Sequence, residues 1–195
     1  MSKSLNIALL GNPNTGKTSL FNSLTGLSQK VGNYPGVTVE KKEGVCKLDR
    51  KTKGYFIDLP GTYSINSSSI DESIVVELLL NKNNKDYPDL ALVIADVENL
   101  KRNLLLFTQV KDLGIPTILV INMADQMKRK GISLDIPILE QTLETKIALV
   151  STRENTGLDE LKKLILDYRI ISNKPLIQIK SIDKKYFENL DIAFP

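Results

Sequence analysis

One eight-residue stretch near the start of the chain, Gly11 to Thr18, limits the possible folds more than any other feature. It reads G-N-P-N-T-G-K-T and fits the phosphate-binding pattern G-x-x-x-x-G-K-[ST]. The apolar run from Leu5 to Leu10 predicts a buried strand before it, and Ser19 to Leu24 predicts the first turns of a helix after it. Strand, glycine-containing turn and helix are the context that this motif requires, so the stretch predicts a nucleotide-binding α/β domain.

The residue types of this loop suit a phosphate group. Glycines at 11 and 16 allow a tight turn that brings backbone N–H groups close to an anion at a helix N-terminus. Lys17 can reach the β- and γ-phosphates, and the hydroxyl of Thr18 can ligate Mg²⁺. An ordinary turn before a helix is the alternative. The predicted nucleotide contacts of this region are Gly11, Asn12, Pro13, Asn14, Thr15, Gly16, Lys17, Thr18 and Ser19.

A second motif, D-x-P-G, ends one of two strands that are predicted over 39–48 and 55–59 and joined as a hairpin. A carboxylate at the carboxyl end of a strand lies at the edge where α/β sheets bind ligands. Asp58 is therefore predicted to reach Mg²⁺ through water, and the N–H of Gly61 to reach the γ-phosphate, with Leu59 and Pro60 between them. Plain turn chemistry is the alternative.

A third motif, N-x-x-D, follows another buried strand and comprises Asn122, Met123 and Asp125. The Asp125 carboxylate can accept hydrogen bonds from both N1–H and the 2-amino group of guanine. The Asn122 amide can contact N7 and tie this loop to the phosphate loop. A helix N-cap is the alternative for Asn122. Farther on, Ser151, Thr152 and Arg153 are placed to close over the base through backbone N–H groups, or to form an ordinary loop.

Strands and helices alternate through most of the chain, which predicts a doubly wound α/β fold. We expect a three-layer P-loop NTPase G domain over residues 1–171. Its mostly parallel six-stranded sheet carries one antiparallel edge strand from the hairpin, and helices cover both faces. A long loop is predicted over 27–39. The alternation stops at Ser172, so residues 172–195 are interpreted as a linker and the truncated start of another module.

Composition excludes several kinds of site. The net charge is only +3, and no long basic run is present, so no nucleic-acid partner is expected. With no His and a single cysteine, Cys46, an intrachain disulfide is impossible and a zinc site is not expected. No apolar run is long enough for a membrane span and no signal peptide is recognised, so we expect a soluble segment.

The order of the motifs G-x-x-x-x-G-K-T, D-x-P-G, N-x-x-D and S-T-R resembles a translation-factor-type small GTPase over residues 4–171. Two further stretches resemble the N-terminal G domain of the ferrous iron transport protein B (FeoB) family. They are V-G-N-Y-P-G-V-T-V-E at 31–40, which resembles its first switch, and D-L-P-G-T-Y-S at 58–64, which resembles its second switch. The tail, with Tyr186-Phe187 and 193–195, is similar to the opening of the helical module in that family.

The resemblance implies further roles. Thr38 would ligate Mg²⁺ and sense the γ-phosphate, with Gly36 and Val37 beside it as nucleotide contacts. Asn14 would help to hold an activating K⁺, although a turn-forming role is the alternative. Thr62 occupies the position at which Ras-like enzymes carry a Gln that orients the attacking water. No other side chain of this segment obviously replaces that Gln, which implies a slow intrinsic rate of GTP hydrolysis. The implied catalytic set is Lys17, Thr38, Gly61 and Asn14.

The family resemblance also implies a function. The chain would bind and hydrolyse GTP as a switch that regulates Fe²⁺ uptake through a membrane permease absent from this segment. Its partners would be GTP and GDP, its own helical module, the permease and small accessory Feo proteins, at the cytoplasmic face of a bacterial inner membrane. Two alternatives remain open from the sequence. One is a free-standing ribosome-assembly or tRNA-modification GTPase, and the other is a nucleotide-gated binding module with incidental turnover.

Overall fold

A single seven-stranded sheet runs through the molecule in the order β2-β3-β4-β1-β5-β6-β7. The computed structural model describes residues 3–26, 28–34, 36–66 and 69–177. The strands are β1 (Lys3–Gly11), β2 (Gln29–Asn33), β3 (Glu40–Lys47), β4 (Thr52–Asp58), β5 (Leu90–Asp96), β6 (Thr117–Asn122) and β7 (Ile147–Leu149). The helices are α1 (Lys17–Thr25), α2 (Ile70–Leu80), α3 (Leu100–Asp112), α4 (Asp125–Lys130), α5 (Ile136–Thr142) and α6 (Leu158–Leu166).

Five neighbouring strands, β4, β1, β5, β6 and β7, are parallel, so their carboxyl ends meet at one edge of the sheet. Asp58 ends β4 in register with Leu9 of β1, two residues before the phosphate loop begins. Asn122 ends β6 in register with Asp96 at the end of β5. The pairing therefore brings the three predicted motifs to the same edge although they are far apart in the chain.

Helices cover the sheet on both faces, as the sequence predicts for a three-layer α/β fold. Leu92 and Ile94 of β5 belong to the apolar cluster that α1 and α6 complete, whereas Val93 belongs to the cluster completed by α2, α3 and α5. All three side chains are fully buried. A strand buried on both faces shows a continuous apolar run rather than an alternating one, and this is why the central strands are recognisable in the sequence.

The prediction of six strands is wrong by one, because the region 27–39 is not entirely a loop. Residues Gln29–Asn33 form β2, which pairs antiparallel with β3 and makes the edge of the sheet. The antiparallel hairpin strand β3 is therefore the second strand rather than the edge. Side chains of β2 are largely exposed, and Val31 is 64% exposed. A strand held only by backbone pairing lacks the buried apolar face that reveals strands in sequence.

Two helices near the end of the described chain are shorter than the sequence predicts. The apolar spacing over 157–171 predicts one amphipathic helix, but α6 ends at Leu166 and a separate 3₁₀ turn covers Tyr168–Ile170. A helix is likewise predicted over 136–145, with Asp135 at its start, and α5 ends at Thr142. Its start is as predicted, since the side chain of Asp135 accepts a hydrogen bond from the backbone of Ile138 and caps the helix.

After α6 the chain returns to the end of α3. The buried Lys111 donates its Nζ to the carbonyl of Ser172 at 3.1 Å, and Asp112 accepts from the backbone N–H of Leu176 at 2.6 Å. Burial lowers the pKa of the Lys111 ammonium group, which its two carbonyl acceptors hold in place. Residues 178–195, where a further module is predicted to begin, lie outside the described residues. Within the described ranges, no helix combines the length and apolar character needed to cross a membrane.

Candidate functional site

The phosphate loop turns between β1 and α1 through two residues with left-handed backbone. Asn14 has φ 68°, which asparagine tolerates better than most residues, and Gly16 has φ 81°. The backbone N–H and the hydroxyl of Thr15 both approach the carbonyl of Asn12, at 3.4 and 2.9 Å, and close the turn. The loop and the first residues of α1 line a cavity of about 370 Å³, with Gly61 on its far side.

Gly16 lies directly against the side chain of Asn122. A Cβ atom added at this glycine would lie 2.2 Å from Nδ2 of Asn122, which is far inside van der Waals contact. Position 16 therefore requires glycine for two reasons, its positive φ and this close approach.

Asp58 connects β4 to the loop. Its two carboxylate oxygens accept separate hydrogen bonds, one from Nζ of Lys17 and one from the hydroxyl of Thr18 at 2.8 Å. The side chain is 3% exposed, so this ion pair is shielded from solvent. The exposed Thr38 lines the same cavity of about 460 Å³ as these three residues. A carboxylate and two hydroxyl groups are oxygen ligands of the kind that Mg²⁺ accepts.

The second switch stretch passes close to the phosphate loop. The backbone N–H of Thr62 donates to the carbonyl of Gly11 at 3.2 Å, and a Cβ atom at Gly61 would lie 3.3 Å from the backbone of Pro13. The buried hydroxyl of Thr62 donates to the carbonyl of Ser64 at 2.6 Å. The same hydroxyl lies 3.1 Å from Oε1 of Glu72 on α2, so the Thr62 side chain is held both within its own loop and by α2.

Farther along, the second switch stretch and Ile65, which directly follows it, contact α3. The Arg102 guanidinium lies 4.3 Å from the ring centroid of Tyr63, and the backbone N–H of Ile65 donates to Oε1 of Gln109 at 3.1 Å. No spacing or motif in the sequence singles out Arg102 or Gln109, because ordinary polar residues of an amphipathic helix look the same.

The first switch stretch is only partly brought to the cavity. Thr38 reaches it, but a Cβ atom added at Gly36 would meet no described atom within 4 Å, and Val37 lines a different cavity beside α2. Tyr34 packs against the α2–α3 apolar cluster, and its phenol oxygen is buried without a hydrogen-bond partner among the described residues. Burial together with nearby carboxylates such as Asp86 raises the pKa of the phenol. The burial of this tyrosine was not predicted from the sequence.

The loop that carries Asn122 and Asp125 is bonded both to the loop that carries Ser151 and Thr152 and to the phosphate loop. Nδ2 of Asn122 donates to the carbonyl of Thr15 at 3.0 Å, and its Oδ1 accepts from the backbone N–H of Thr152 at 3.3 Å. The N-cap position of α4 is Ala124, so Asn122 does not serve as the cap of this helix. Oδ1 of Asp125 accepts a 2.8 Å hydrogen bond from the buried hydroxyl of Ser151.

Two other predicted residues of these loops are less buried than Asn122 and Ser151. Met123 has φ 60° and packs at the border of the α2–α3 apolar cluster. Arg153 is exposed. The structure also adds a residue that the sequence did not single out: Nε2 of Gln126 donates to Oδ2 of Asp125 at 3.0 Å. Its only signal is that it directly follows the N-x-x-D motif.

A phosphate loop at the carboxyl edge of a parallel sheet, bonded through Asn122 to an N-x-x-D loop, is the architecture of a P-loop NTPase G domain. The family model of ferrous iron transport protein B, N-terminal part, matches residues 5–165. The chain therefore belongs to the FeoB family and is a GTPase domain of that type.

Curated relatives are whole transporters. The Fe(2+) transporter FeoB of Leptospira biflexa serovar Patoc is 44% identical over 163 residues, which are 84% of this chain and 23% of that protein. A Fe(2+) transport protein A/Fe(2+) transporter FeoB fusion protein of Porphyromonas gingivalis is 40% identical over 177 residues, 90% of this chain and 20% of the fusion protein. The chain thus spans less than a quarter of either relative.

Solved structures agree with this assignment. The G domain of the T. maritima FeoB iron transporter is 40% identical, with a TM-score of 0.77, and the match covers 85% of this chain and 99% of that one. The cytosolic domain of the same transporter in its GMPPNP form is 37% identical, with a TM-score of 0.85, and the match covers 100% of this chain and 76% of that one.

Proposed function

We propose that this chain binds GTP and GDP with Mg²⁺ and hydrolyses GTP to GDP and phosphate. The observation that carries the proposal is the hydrogen bond from Asn122 to Thr15, since it joins a guanine-type base loop to a phosphate loop in one site. The relative in GMPPNP form supports it, because that ligand is a GTP analogue.

The base end of the site accounts for guanine selection. Asp125 would accept hydrogen bonds from N1–H and the 2-amino group of the base, and Asn122 would contact N7. The backbone of Ser151, Thr152 and Arg153 would close over the ring, with Met123 beside it. A site that offers polar partners strongly rejects a ligand lacking the matching groups, and adenine lacks them here.

At the phosphate end, backbone N–H groups of the loop and the N-terminus of α1 would hold the phosphates. Lys17 would leave Asp58 for the β- and γ-phosphates, and the Gly61 N–H would donate to the γ-phosphate. Thr18 and Thr38 would hold Mg²⁺ directly, and Asp58 through water. When bound, Mg²⁺ neutralises phosphate charge. The remaining predicted contacts are Gly11, Asn12, Pro13, Thr15, Gly16, Ser19, Gly36, Val37, Leu59 and Pro60.

Hydrolysis would depend mainly on positioning and charge, because no general base is present in the predicted catalytic set. The Thr62 hydroxyl faces the carbonyl of Ser64 and the carboxylate of Glu72, so we expect backbone groups of the switches to orient the attacking water. We therefore expect a slow intrinsic rate. Asn14 lines the phosphate cavity, where a K⁺ ion held by its side chain would stabilise charge developing on the leaving phosphate.

In a longer parent protein, the domain would act as a switch that regulates Fe²⁺ uptake through a membrane permease. We place the end of the G domain near residue 171, followed by a linker and a helical module that would receive the signal. The cytoplasmic face of a bacterial inner membrane is the proposed location, and small accessory Feo proteins are proposed partners. The fusion relative supports the last point, because its name joins transport protein A to FeoB. The family match favours this function over a free-standing ribosome-assembly GTPase.

Two experiments test the proposal. Phosphate release should be seen with GTP and not with ATP, and Lys17→Ala should abolish it while the exposed Lys53→Ala should not. Equal turnover of ATP would refute the guanine assignment. In the full-length relative, reconstituted in vesicles, Fe²⁺ flux should differ between GTP and GDP. If Fe²⁺ flux does not depend on the nucleotide, the domain is a GTPase but the proposed regulation of Fe²⁺ uptake is refuted.

A further inference from the structure

Gln126 directly follows the predicted base-binding carboxylate and contacts it. Its Nε2 atom lies 3.0 Å from Oδ2 of Asp125. An ionised carboxylate can only accept hydrogen bonds, so the nitrogen end of the Gln126 amide has to face it. The side chain therefore has one defined orientation, although it is only partly buried.

The other oxygen of Asp125 is held from the opposite side. Oδ1 accepts from the hydroxyl of Ser151 at 2.8 Å, and this hydroxyl in turn accepts from the backbone N–H of Glu154 at 3.2 Å. Each carboxylate oxygen can accept about two hydrogen bonds, so each keeps one position for a ligand. Hydrogen-bond donors on both oxygens fix the plane of the carboxylate. A fixed plane is needed if both oxygens are to accept hydrogen bonds at once from two parallel N–H groups on the edge of a base.

We propose that Gln126 is a positioning residue that acts through Asp125 to select bases carrying both N1–H and a 2-amino group. The inference rests on the proposed function, because it assumes that Asp125 faces the base. Ser151 alone fixes one oxygen and leaves the carboxylate free to rotate about it. Gln126 fixes the second oxygen, so the two acceptor positions match guanine better than hypoxanthine, which lacks the 2-amino group.

The surroundings of Gln126 argue against a purely structural role. Helix α4 contains no buried residue, and the backbone N–H of Gln126 is already satisfied by the carbonyl of Met123 at 2.9 Å. Removing the side-chain amide should therefore leave the fold intact and change only the environment of Asp125.

The test compares GDP and IDP binding by Gln126→Leu, Gln126→Glu and the unmodified chain. Gln126→Leu should weaken GDP about tenfold and IDP less, which lowers the GDP-to-IDP affinity ratio several-fold. Gln126→Glu should lower the GDP-to-IDP affinity ratio at least as much, because the substitution places a like charge against Asp125. The KM for GTP should rise with the loss of affinity while kcat changes far less, since binding is lost equally in ground and transition states.

A matched control is Gln141, which is exposed on α5. Gln141→Leu and Gln141→Glu should keep the wild-type ratio. The inference is overturned if both Gln126 variants keep that ratio, or if kcat falls while the ratio stays constant. If the unmodified chain does not prefer GDP to ADP, the proposed function fails first. If it does prefer GDP, but the Gln126 variants behave like wild type, this inference alone fails.

Discussion

The two ends of the site are built differently. At the base end, Asn122 is 1% exposed and its amide makes hydrogen bonds to both the phosphate loop and the Thr152 backbone. At the γ-phosphate end, Thr38 is exposed, and the neighbouring Gly36 lies in open space. The base end is thus organised by strand ends and internal hydrogen bonds, whereas the first-switch part of the γ-phosphate end is an exposed loop.

This difference matches two separate tasks. The base is the same in GTP and GDP, so its recognition should not depend on the γ-phosphate. A preorganised site binds the base with little loss of conformational entropy, because its side chains are already ordered. Detection of the γ-phosphate needs segments that can move, and such segments come from the less stable parts of a fold. Changes at the base end should therefore alter which nucleotide binds, whereas changes in the switches should alter what happens after binding.

The largest effect is expected for Asp125→Asn. GDP affinity should fall roughly a thousandfold, because the acceptor of two N–H groups is lost, and xanthosine diphosphate should become the preferred ligand. Competition binding with the two nucleotides measures the change. Asp159→Asn, at a site whose side chain is 85% exposed on α6, is the control. An unchanged preference in Asp125→Asn would show that the base end is misassigned.

Gly16→Ala tests the contact between the two ends. The methyl group would meet Asn122 at 2.2 Å and would also strain the positive φ, so the loop must shift and GDP affinity should fall about a hundredfold. Gly36→Ala is the matched control. Its φ of 78° is similar but it has open space, so the cost should not exceed about tenfold. Similar losses in both variants would mean that the Asn122 contact is unimportant.

Thr38→Ala should separate binding from turnover. GDP affinity should stay within about threefold of wild type, while GTP turnover should fall on the order of a hundredfold, because the switch would no longer hold Mg²⁺ at the γ-phosphate. Thr38→Ser retains the hydroxyl and should keep most of the activity. A large loss of GDP affinity in Thr38→Ala would place this loop in the binding site of the diphosphate instead.

The smallest effect concerns K⁺. Hydrolysis by the unmodified chain should be about tenfold faster in KCl than in NaCl. Asn14→Ala and Asn14→Gly should both remove the difference. The glycine variant is informative because φ is 68° at this position, so glycine preserves the turn while removing the side chain. Persistent stimulation in Asn14→Gly would assign Asn14 to the turn, and equal rates of the unmodified chain in both salts would exclude the K⁺ role.

The contact between the N-x-x-D loop and the phosphate loop could be predicted from the sequence, because it depends on residue types at fixed spacing after buried strands. The hydrogen bond between Asn122 and the phosphate loop was expected from the N-x-x-D motif together with its position after a buried strand, and the structure shows it. The central strands were equally clear, because a continuous apolar run such as 90–95 is typical of a strand that is buried on both faces.

The outer parts of the molecule were harder to predict. Strand β2 escaped recognition because backbone pairing with β3 specifies it, and its side chains carry no apolar pattern. The contacts of Tyr34, Gln109 and Gln126 depend on which elements the fold places side by side. Polar side chains with no distinctive spacing do not reveal such partners before the topology is known.

Amide hydrogen exchange of the chain bound to GDP and to GMPPNP tests the contrast between the two ends most directly. We predict equal protection in both forms for residues 122–126 and 151–154, and different protection for 36–39 and 61–66. Differences of similar size in the base loops, or identical protection of both switches in the two forms, would contradict the division of the site into a preorganised base end and a mobile γ-phosphate end.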